Sequence, residues 1–367
     1  MLGDRLDLAL LNDWQHGFPL RALPFAAIGA PLGIDAQPVL ARYRALQARG
    51  ALSRIGGVFG AGAGGAALLC AFAVPAARLE AVAALVSAQP GVNHNYEREH
   101  AWNLWFVITG VDAPAVAAAV DALETACGLR ALRLPMQRAY RIDLGFDLRG
   151  PLAMHDPAGR KAAENDSTPR STARDDHAGR AATGSSLRRP AVEPVSPPDR
   201  PLAACVEQGL PLVERPFAAW AEACARTEPE VLDTLRRWLE RGTLRRFGVV
   251  VRHHEAGFLH NAMTVFDMPD AQVDACGERL AVQPGVTLAY RRARDAGWPY
   301  NLYCMVHGRD RAAVTAAIDA AVAGAGLPGR PRALLFSRRR FKQCGARYFG
   351  DAPAACHQSA GGRHVAA

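Results

Sequence analysis

Residues 50–59, Gly50-Ala51-Leu52-Ser53-Arg54-Ile55-Gly56-Gly57-Val58-Phe59, and residues 242–251, Gly242-Thr243-Leu244-Arg245-Arg246-Phe247-Gly248-Val249-Val250-Val251, are one pattern written twice. Gly50, Leu52, Arg54 and Gly56 recur as Gly242, Leu244, Arg246 and Gly248, each at an offset of 192. Upstream, Gly17-Phe18-Pro19-Leu20 recurs as Gly209-Leu210-Pro211-Leu212, and Pro24-Phe25-Ala26-Ala27 as Pro216-Phe217-Ala218-Ala219, at the same offset. Downstream, Pro90-Gly91-Val92 and Tyr96 return as Pro284-Gly285-Val286 and Tyr290 at offset 194. Asn103, Leu104 and Gly110 return as Asn301, Leu302 and Gly308 at offset 198. An offset that grows only by short insertions marks two diverged copies of one unit.

Each copy opens with helical spacing. Val231, Leu232, Leu235, Trp238 and Leu239 make one face of a helix, with Pro229 near its start and Gly242 past its end. The equivalent helix in copy one runs near Gln37–Arg49. Shorter helices are expected over 4–15, 24–31, 201–208 and 216–225. Three short helices ahead of a strand resemble a winged helix-turn-helix. The rest of copy one alternates: strands over 54–59 and 66–74, helix 76–88, strands 92–98 and 103–109, helix 112–127, strand 130–134. Copy two repeats it with strands 246–252 and 260–267, helix 270–282, strands 286–292 and 301–307, helix 310–324 and strand 331–336. The expected fold is therefore α+β, a tandem duplication in which each winged-helix-like segment (1–53, 201–245) precedes a ferredoxin-like βαββαβ domain (54–150, 246–349). Residues 151–200, rich in Pro, Ser, Asp and Arg, read as a disordered linker, and 350–367 as a flexible tail.

The chain has 367 residues, half of them hydrophobic, and a formal net charge of +8, which favours an anionic partner. No apolar run suits a membrane span, and the acidic groups in the first twenty residues argue against a secretory leader, so a cytoplasmic location is expected. The eight cysteines form no CxxC pair, so neither a zinc ribbon nor an iron–sulfur cluster is expected.

Two polar clusters stand out. In Asn93-His94-Asn95-Tyr96-Glu97-Arg98-Glu99-His100, the groups His94, Tyr96 and Arg98 share one strand parity. In copy two, Arg245 and Arg246 precede an apolar strand, and Arg252, His253 and His254 follow it. Guanidinium clamps carboxylate, and imidazole titrates near neutrality. His307 lies in a later strand, and Arg291, Arg292 and Arg294 follow Tyr290 beside Trp298-Pro299-Tyr300. Solvated strand ends would carry the same residue types. The copies are not equal: Leu288 stands where copy one has His94, and Gly60–Gly65 stands where copy two has its basic and imidazole groups. Complementary losses suggest either one composite site or two non-equivalent ones.

The blocks LLNDWQHGFPL, PGVNHNYEREHAWNLWFVITG, LRRFGVVVRHHEAGFLHNAM and WPYNLYCMVHG resemble siroheme decarboxylases, within the leucine-responsive-regulator (AsnC-like) architecture, over nearly the whole chain outside linker and tail. The order is similar to the two-subunit enzyme joined in one chain. That resemblance implies removal of carbon dioxide from the C12 and C18 acetates of siroheme, giving 12,18-didecarboxysiroheme on the way to heme d1 or, elsewhere, heme. It implies no cofactor beyond the iron tetrapyrrole substrate, no further metal, related decarboxylase subunits as partners and a homo-oligomer. It places His94, His253 and His254 as catalytic candidates, for proton donation or axial ligation of the iron. Tyr96, Arg98, Arg245, Arg246, Arg252, Tyr290 and Arg291 are the substrate-binding candidates. Two other readings use the same fold. A tetrapyrrole carrier needs the pocket without the chemistry. A DNA-binding regulator needs a basic recognition helix: Glu230, Asp233 and Glu240 argue against it in copy two, whereas Arg42, Arg44 and Arg49 leave it open in copy one.

Overall fold

A computed structural model describes residues 4–142, 145, 147–150, 192–252 and 257–350. The expected linker falls outside the described residues over 151–191, and the tail over 351–367.

In copy one, α1 (Arg5–Asn12), α2 (Pro24–Gly29) and α3 (Ala36–Ala48) lead into strand β1 (Leu52–Phe59). Asp4 caps α1 by accepting the Asp7 N–H at 3.0 Å. Gly50 ends the turn after α3 with φ of 79°, a conformation that favours glycine. In copy two, α6 (Arg200–Gln208), α7 (Pro216–Ala223) and α8 (Glu228–Glu240) lead into β7 (Leu244–Val251), and a Thr227/Glu230 capping box opens α8. The two strands do not form separate wings. They pair antiparallel with each other, Gly56 directly opposite Gly248. The pattern that opened the sequence thus marks a local two-fold axis. Around it the helical segments share one core, in which Phe247 touches Phe18 and Phe217.

The ferredoxin-like domains follow. Copy one has β2 (Ala66–Phe72), α4 (Leu79–Ala88), β3 (Val92–Arg98), β4 (Leu104–Gly110), α5 (Ala113–Cys127) and β5 (Ala131–Leu134). Copy two has β8 (His260–Phe266), α9 (Val273–Ala281), β9 (Val286–Arg292), β10 (Leu302–Gly308), α10 (Arg311–Gly324) and β11 (Arg332–Gln343). The strands run β5-β2-β4-β3 in copy one and β11-β8-β10-β9 in copy two, and β11 also pairs with β3, so both runs belong to one nine-stranded sheet. Strand alternation splits the apolar residues between two faces. Cys70, Phe72 and Phe106 pack under α4 and α5, whereas Leu69, Ala71 and Trp105 meet Met263, Tyr303 and Leu335 of the other run. The two four-stranded runs therefore face each other, with helices outside.

The structure adds strand length that the sequence does not suggest. Pro135, which has no N–H to donate, separates β5 from a further strand, β6 (Met136–Ile142), and β6 pairs with β9 of copy two. Reciprocally, β11 runs on past residue 336, where the sequence ends it, and its second half pairs with β3 of copy one. Both extensions are rich in Arg, Lys and Gln and find their partner strands in the other copy, so neither has local hydrophobic alternation. Tyr140 of β6 also reaches α9, donating from its hydroxyl to Asp274 at 2.6 Å across Gly277.

The two arginine-bearing third helices turn to partners inside the molecule. Arg44 donates to the Leu212 carbonyl (2.7 Å) and its equivalent Arg236 to the Leu20 carbonyl (2.8 Å), so each helix holds the opposite copy. Arg42 pairs with Asp4 and Asp7, and Arg49 with Asp7.

Candidate active site between the two copies

Between the two runs, on the side closed by β1 and β7, lies a cavity of about 530 Å³ lined by both copies. Its floor comes from the pleat. His94, Tyr96 and Arg98 project from β3, and the equivalent residues of β9, Leu288, Tyr290 and Arg292, project from the other side. The two Tyr–Arg pairs are built alike. Arg98 donates to the Leu335 carbonyl (3.0 Å), sits 5.8 Å from the Tyr96 ring centre and reaches Asn261 Oδ1 at 3.5 Å. Arg292 donates to the Leu134 carbonyl (2.6 Å) and sits 4.6 Å from the Tyr290 ring centre. A backbone carbonyl and a ring face thus hold each guanidinium in place.

Two further cations line the cavity, Arg54 and Arg252, along with one described carboxyl group, Glu207. Burial brings Arg98 and Arg54 down to about 10, still protonated at neutral pH. Burial also pushes Glu207 up to about 7, although its carboxylate accepts the Tyr348 and Phe349 N–H groups at 2.7 and 3.1 Å. The Gly60–Gly65 stretch is where that segment packs: a Cβ on Gly64 would strike the Phe349 ring, and one on Gly65 the Tyr348 ring. His94 is brought down to about 4, first by burial and then by the Arg98 charge, so it is neutral as it stands. Its Nδ1 lies 2.9 Å from Asn93 Oδ1. Asn93 is the bulged residue in the pairing of β3 with β4.

Of the residues singled out in the sequence, the cavity brings together His94, Tyr96, Arg98, Arg252, Tyr290, Arg292 and His307. Three arginines lie elsewhere. Arg246 is buried against the Gln15 and Val249 carbonyls, so it binds the copies together rather than lining the cavity. Arg245 lies beside Gly60, outside the cavity lining. Arg291 has the opposite parity to Tyr290 and turns outward to Asp270 and Asp274, both at 3.5 Å. His253 and His254 lie outside the described residues. Sequence reasoning passed over Arg54, Glu207 and Trp105, and it noted Arg292 and His307 without placing them among the site residues. Arg292 carried a usable signal: it shares the parity of Tyr290 and stands at offset 194 from Arg98.

A duplicated helix-turn-helix and ferredoxin-like chain with a cationic cavity between its halves is a ligand-binding protein of the AsnC type, with both partners of the pair on one chain. Family models agree: an AsnC-like ligand binding domain matches residues 63–141 and 255–342, and a siroheme decarboxylase NirDL-like HTH domain matches 7–52 and 199–245. The siroheme decarboxylase NirDL subunit of Paracoccus denitrificans is 41% identical over 94% of this chain and 98% of its own. The NirD subunit of Stutzerimonas stutzeri is 51% identical over 40% of this chain and 97% of its own, so a relative of half the length spans one copy. A crystal structure of the siroheme decarboxylase NirDL in complex with an iron-uroporphyrin III analogue covers 92% of each chain, at 26% identity and a TM-score of 0.61. The chain belongs to the siroheme decarboxylase NirDL family.

Proposed function

We propose that this chain decarboxylates siroheme at its C12 and C18 acetates, yielding 12,18-didecarboxysiroheme and two molecules of carbon dioxide in heme d1 biosynthesis. The observation that carries this reading is the four-arginine cavity between the halves of a chain that aligns from end to end with a siroheme decarboxylase. In each step the bond between the acetate methylene and its carboxylate breaks. Carbon dioxide leaves, the electron pair stays on the methylene carbon beside the pyrrole, and a proton converts that carbon to a methyl group.

The side chains fit these demands. Arg54, Arg98, Arg252 and Arg292 hold the substrate's carboxylates and fix the macrocycle against Tyr96, Tyr290 and Trp105. His94 supplies a proton. A carboxylate paired with Arg98 cancels one of the two causes that keep His94 neutral, so substrate binding itself raises the imidazole toward a useful acid. General acid catalysis of this kind contributes about a hundred- to ten-thousandfold. The reaction as written needs no organic cofactor. We place it in the cytoplasm, in a homo-oligomer working with related decarboxylase subunits; among the described residues no helix is long and apolar enough to cross a membrane. The DNA-binding reading is not favoured, because Arg42, Arg44, Arg49 and Arg236 are engaged within the molecule.

The test is anaerobic incubation of the purified chain with siroheme, followed by pigment mass. Loss of two carbon dioxide units is the expected result. Tight binding without mass change would make the chain a carrier and overturn the enzymatic reading.

A further inference from the structure

The helical segment of copy two brings two sulfurs together. Cys205 lies on α6, Cys224 caps the end of α7, and their Sγ atoms are 3.8 Å apart. Both residues are half-buried, whereas Cys70, Cys127, Cys276 and Cys304 are buried. The pair belongs to copy two alone, because offset 192 puts Asp13 and Leu32 at the equivalent positions of copy one. Two features hold the sulfurs in register. Ala225, directly after Cys224, has φ of 52°, the left-handed conformation that glycine favours, and its counterpart Gly33 has φ of 66°. The Arg226 N–H keeps this turn by donating to the Ala221 carbonyl at 2.8 Å, a Schellman-type end to α7. The Arg226 side chain then reaches back to the start of α6, donating to the Pro198 carbonyl and the Asp199 carboxylate, both at 2.7 Å. An alanine in the left-handed region persists only where its surroundings hold it, and here they fix the end of α7 against α6. Disulfide sulfurs stand about 2.05 Å apart, so these two must close by about 1.8 Å between them, the size of displacement that small rotations about the two Cα–Cβ bonds produce.

We propose that Cys205 and Cys224 are an oxidisable dithiol, a modification site at which a hydroperoxide ties α6 to α7 through a disulfide. Burial, and after it the neighbouring Cys224, pushes the Cys205 thiol up to about 12, so the first attack falls to Cys224. The Cys224 sulfur displaces water from hydrogen peroxide as the O–O bond breaks, and becomes a sulfenic acid. The Cys205 sulfur then attacks the sulfenic sulfur. The S–S bond forms, the S–O bond breaks, and hydroxide leaves with the Cys205 proton as a second water. The two thiols supply the two electrons that reduce the peroxide, and nothing else is consumed. The bond closes α6, the connection and α7 into one loop. Because α6 also carries Glu207 to the cavity, the modification falls on a support of that site rather than on a remote surface. It does not depend on which ligand the cavity takes.

The experiment treats the full reduced chain with hydrogen peroxide, alkylates the remaining thiols and maps them by peptide mass. Cys205 and Cys224 are expected to lose alkylation together, with two hydrogens missing from the linked segment, and dithiothreitol should restore both. The unfolding midpoint of the oxidised chain should rise by roughly 5 °C, because a closed loop restricts the unfolded state. Cys205→Ser should trap the sulfenic acid on Cys224, read by dimedone labelling. Cys224→Ser should leave Cys205 open to alkylation and abolish the rise. Full alkylation of both cysteines after oxidation overturns the proposal, as does a disulfide from either one to another cysteine. An unmoved midpoint with the disulfide formed overturns its role as a tie between the helices. Dimedone on Cys205 in Cys224→Ser, with none on Cys224 in Cys205→Ser, overturns the order of attack. If a serine variant fails to fold, the alkylation map of the parent chain decides alone.

Discussion

Arg291 and Arg292 are neighbours in sequence with opposite fates in the fold, and exchanging each for leucine tests the placement of the site. Arg292 is 8% exposed, donates to the Leu134 carbonyl at 2.6 Å, and lies 4.6 Å from the Tyr290 ring centre inside the cavity. On the proposed reading of the site, removing it deletes a charged hydrogen-bond donor to substrate carboxylate, worth about 1.5–3 kcal/mol. At 1.4 kcal/mol per factor of ten, that is roughly a ten- to hundredfold weaker Kd for siroheme. It also strands the Leu134 carbonyl, which costs the fold about 1–3 kcal/mol. Arg291 is more exposed and makes two bridges at 3.5 Å to Asp270 and Asp274, the kind of surface pairing worth about 0–1 kcal/mol. Its loss should weaken siroheme binding by about fivefold at most and leave the unfolding midpoint nearly unchanged. Anaerobic absorbance titration with siroheme, alongside urea unfolding, measures both quantities. Equal Kd shifts for the two variants, or a larger shift for Arg291→Leu, would refute the pleat-based assignment of the cavity face.

Three other perturbations probe separate features. A Cβ on Gly248 would press on the Trp14 carbonyl and stand 2.5 Å from the Gln15 carbonyl, which accept from Val249 and Arg246. Gly248→Ala should therefore cost about 3–5 kcal/mol in urea unfolding, from overpacking plus two weakened hydrogen bonds; a loss below about 1 kcal/mol would show that the inter-copy strand pair yields easily. His94 has a native pKa of about 4 against 6.5 as a free group, so its share of stability is present above pH 6.5 and is lost as pH falls through 4. His94→Gln should flatten the unfolding midpoint across that window relative to the parent, and an unaltered slope would contradict a buried neutral imidazole. Glu207 has the opposite sign: raised to about 7, its share is present below pH 4.5 and is lost as pH rises through 7, so Glu207→Gln should remove that decline when stability is compared at pH 4.5 and 8.

The duplication, the helical spacing and the strand order of each half could be read from sequence, because they rest on local periodicity and on repeated Gly and Pro positions. So could the β3 contribution to the cavity, since His94, Tyr96 and Arg98 share a face of one strand. Features that depend on the other copy could not. The strands at 136–142 and 337–343 look like polar tails until β9 and β3 come alongside. Arg246 looks like a carboxylate clamp until the Gln15 carbonyl arrives from copy one. Arg44 looks like a phosphate contact until the Leu212 carbonyl receives it. Charge is visible in sequence, whereas the partner that uses it is set by tertiary packing. Arg292 is different, because strict alternation from Tyr290 selects it over Arg291.

The exchange of β6 and the far half of β11 also bears on assembly and gene arrangement. The β3 edge of copy one is covered by β11 and the β9 edge of copy two by β6, each a segment from the opposite half, and a bare edge invites pairing with another chain. Expressed as separate polypeptides, the halves should therefore complement each other rather than fold alone. Joining them replaces a concentration-dependent encounter by an intramolecular one, with an effective concentration set by the tether. Because the exchange is reciprocal, the contacts do not prescribe which half must come first, and a permuted gene with copy two leading should build the same pair.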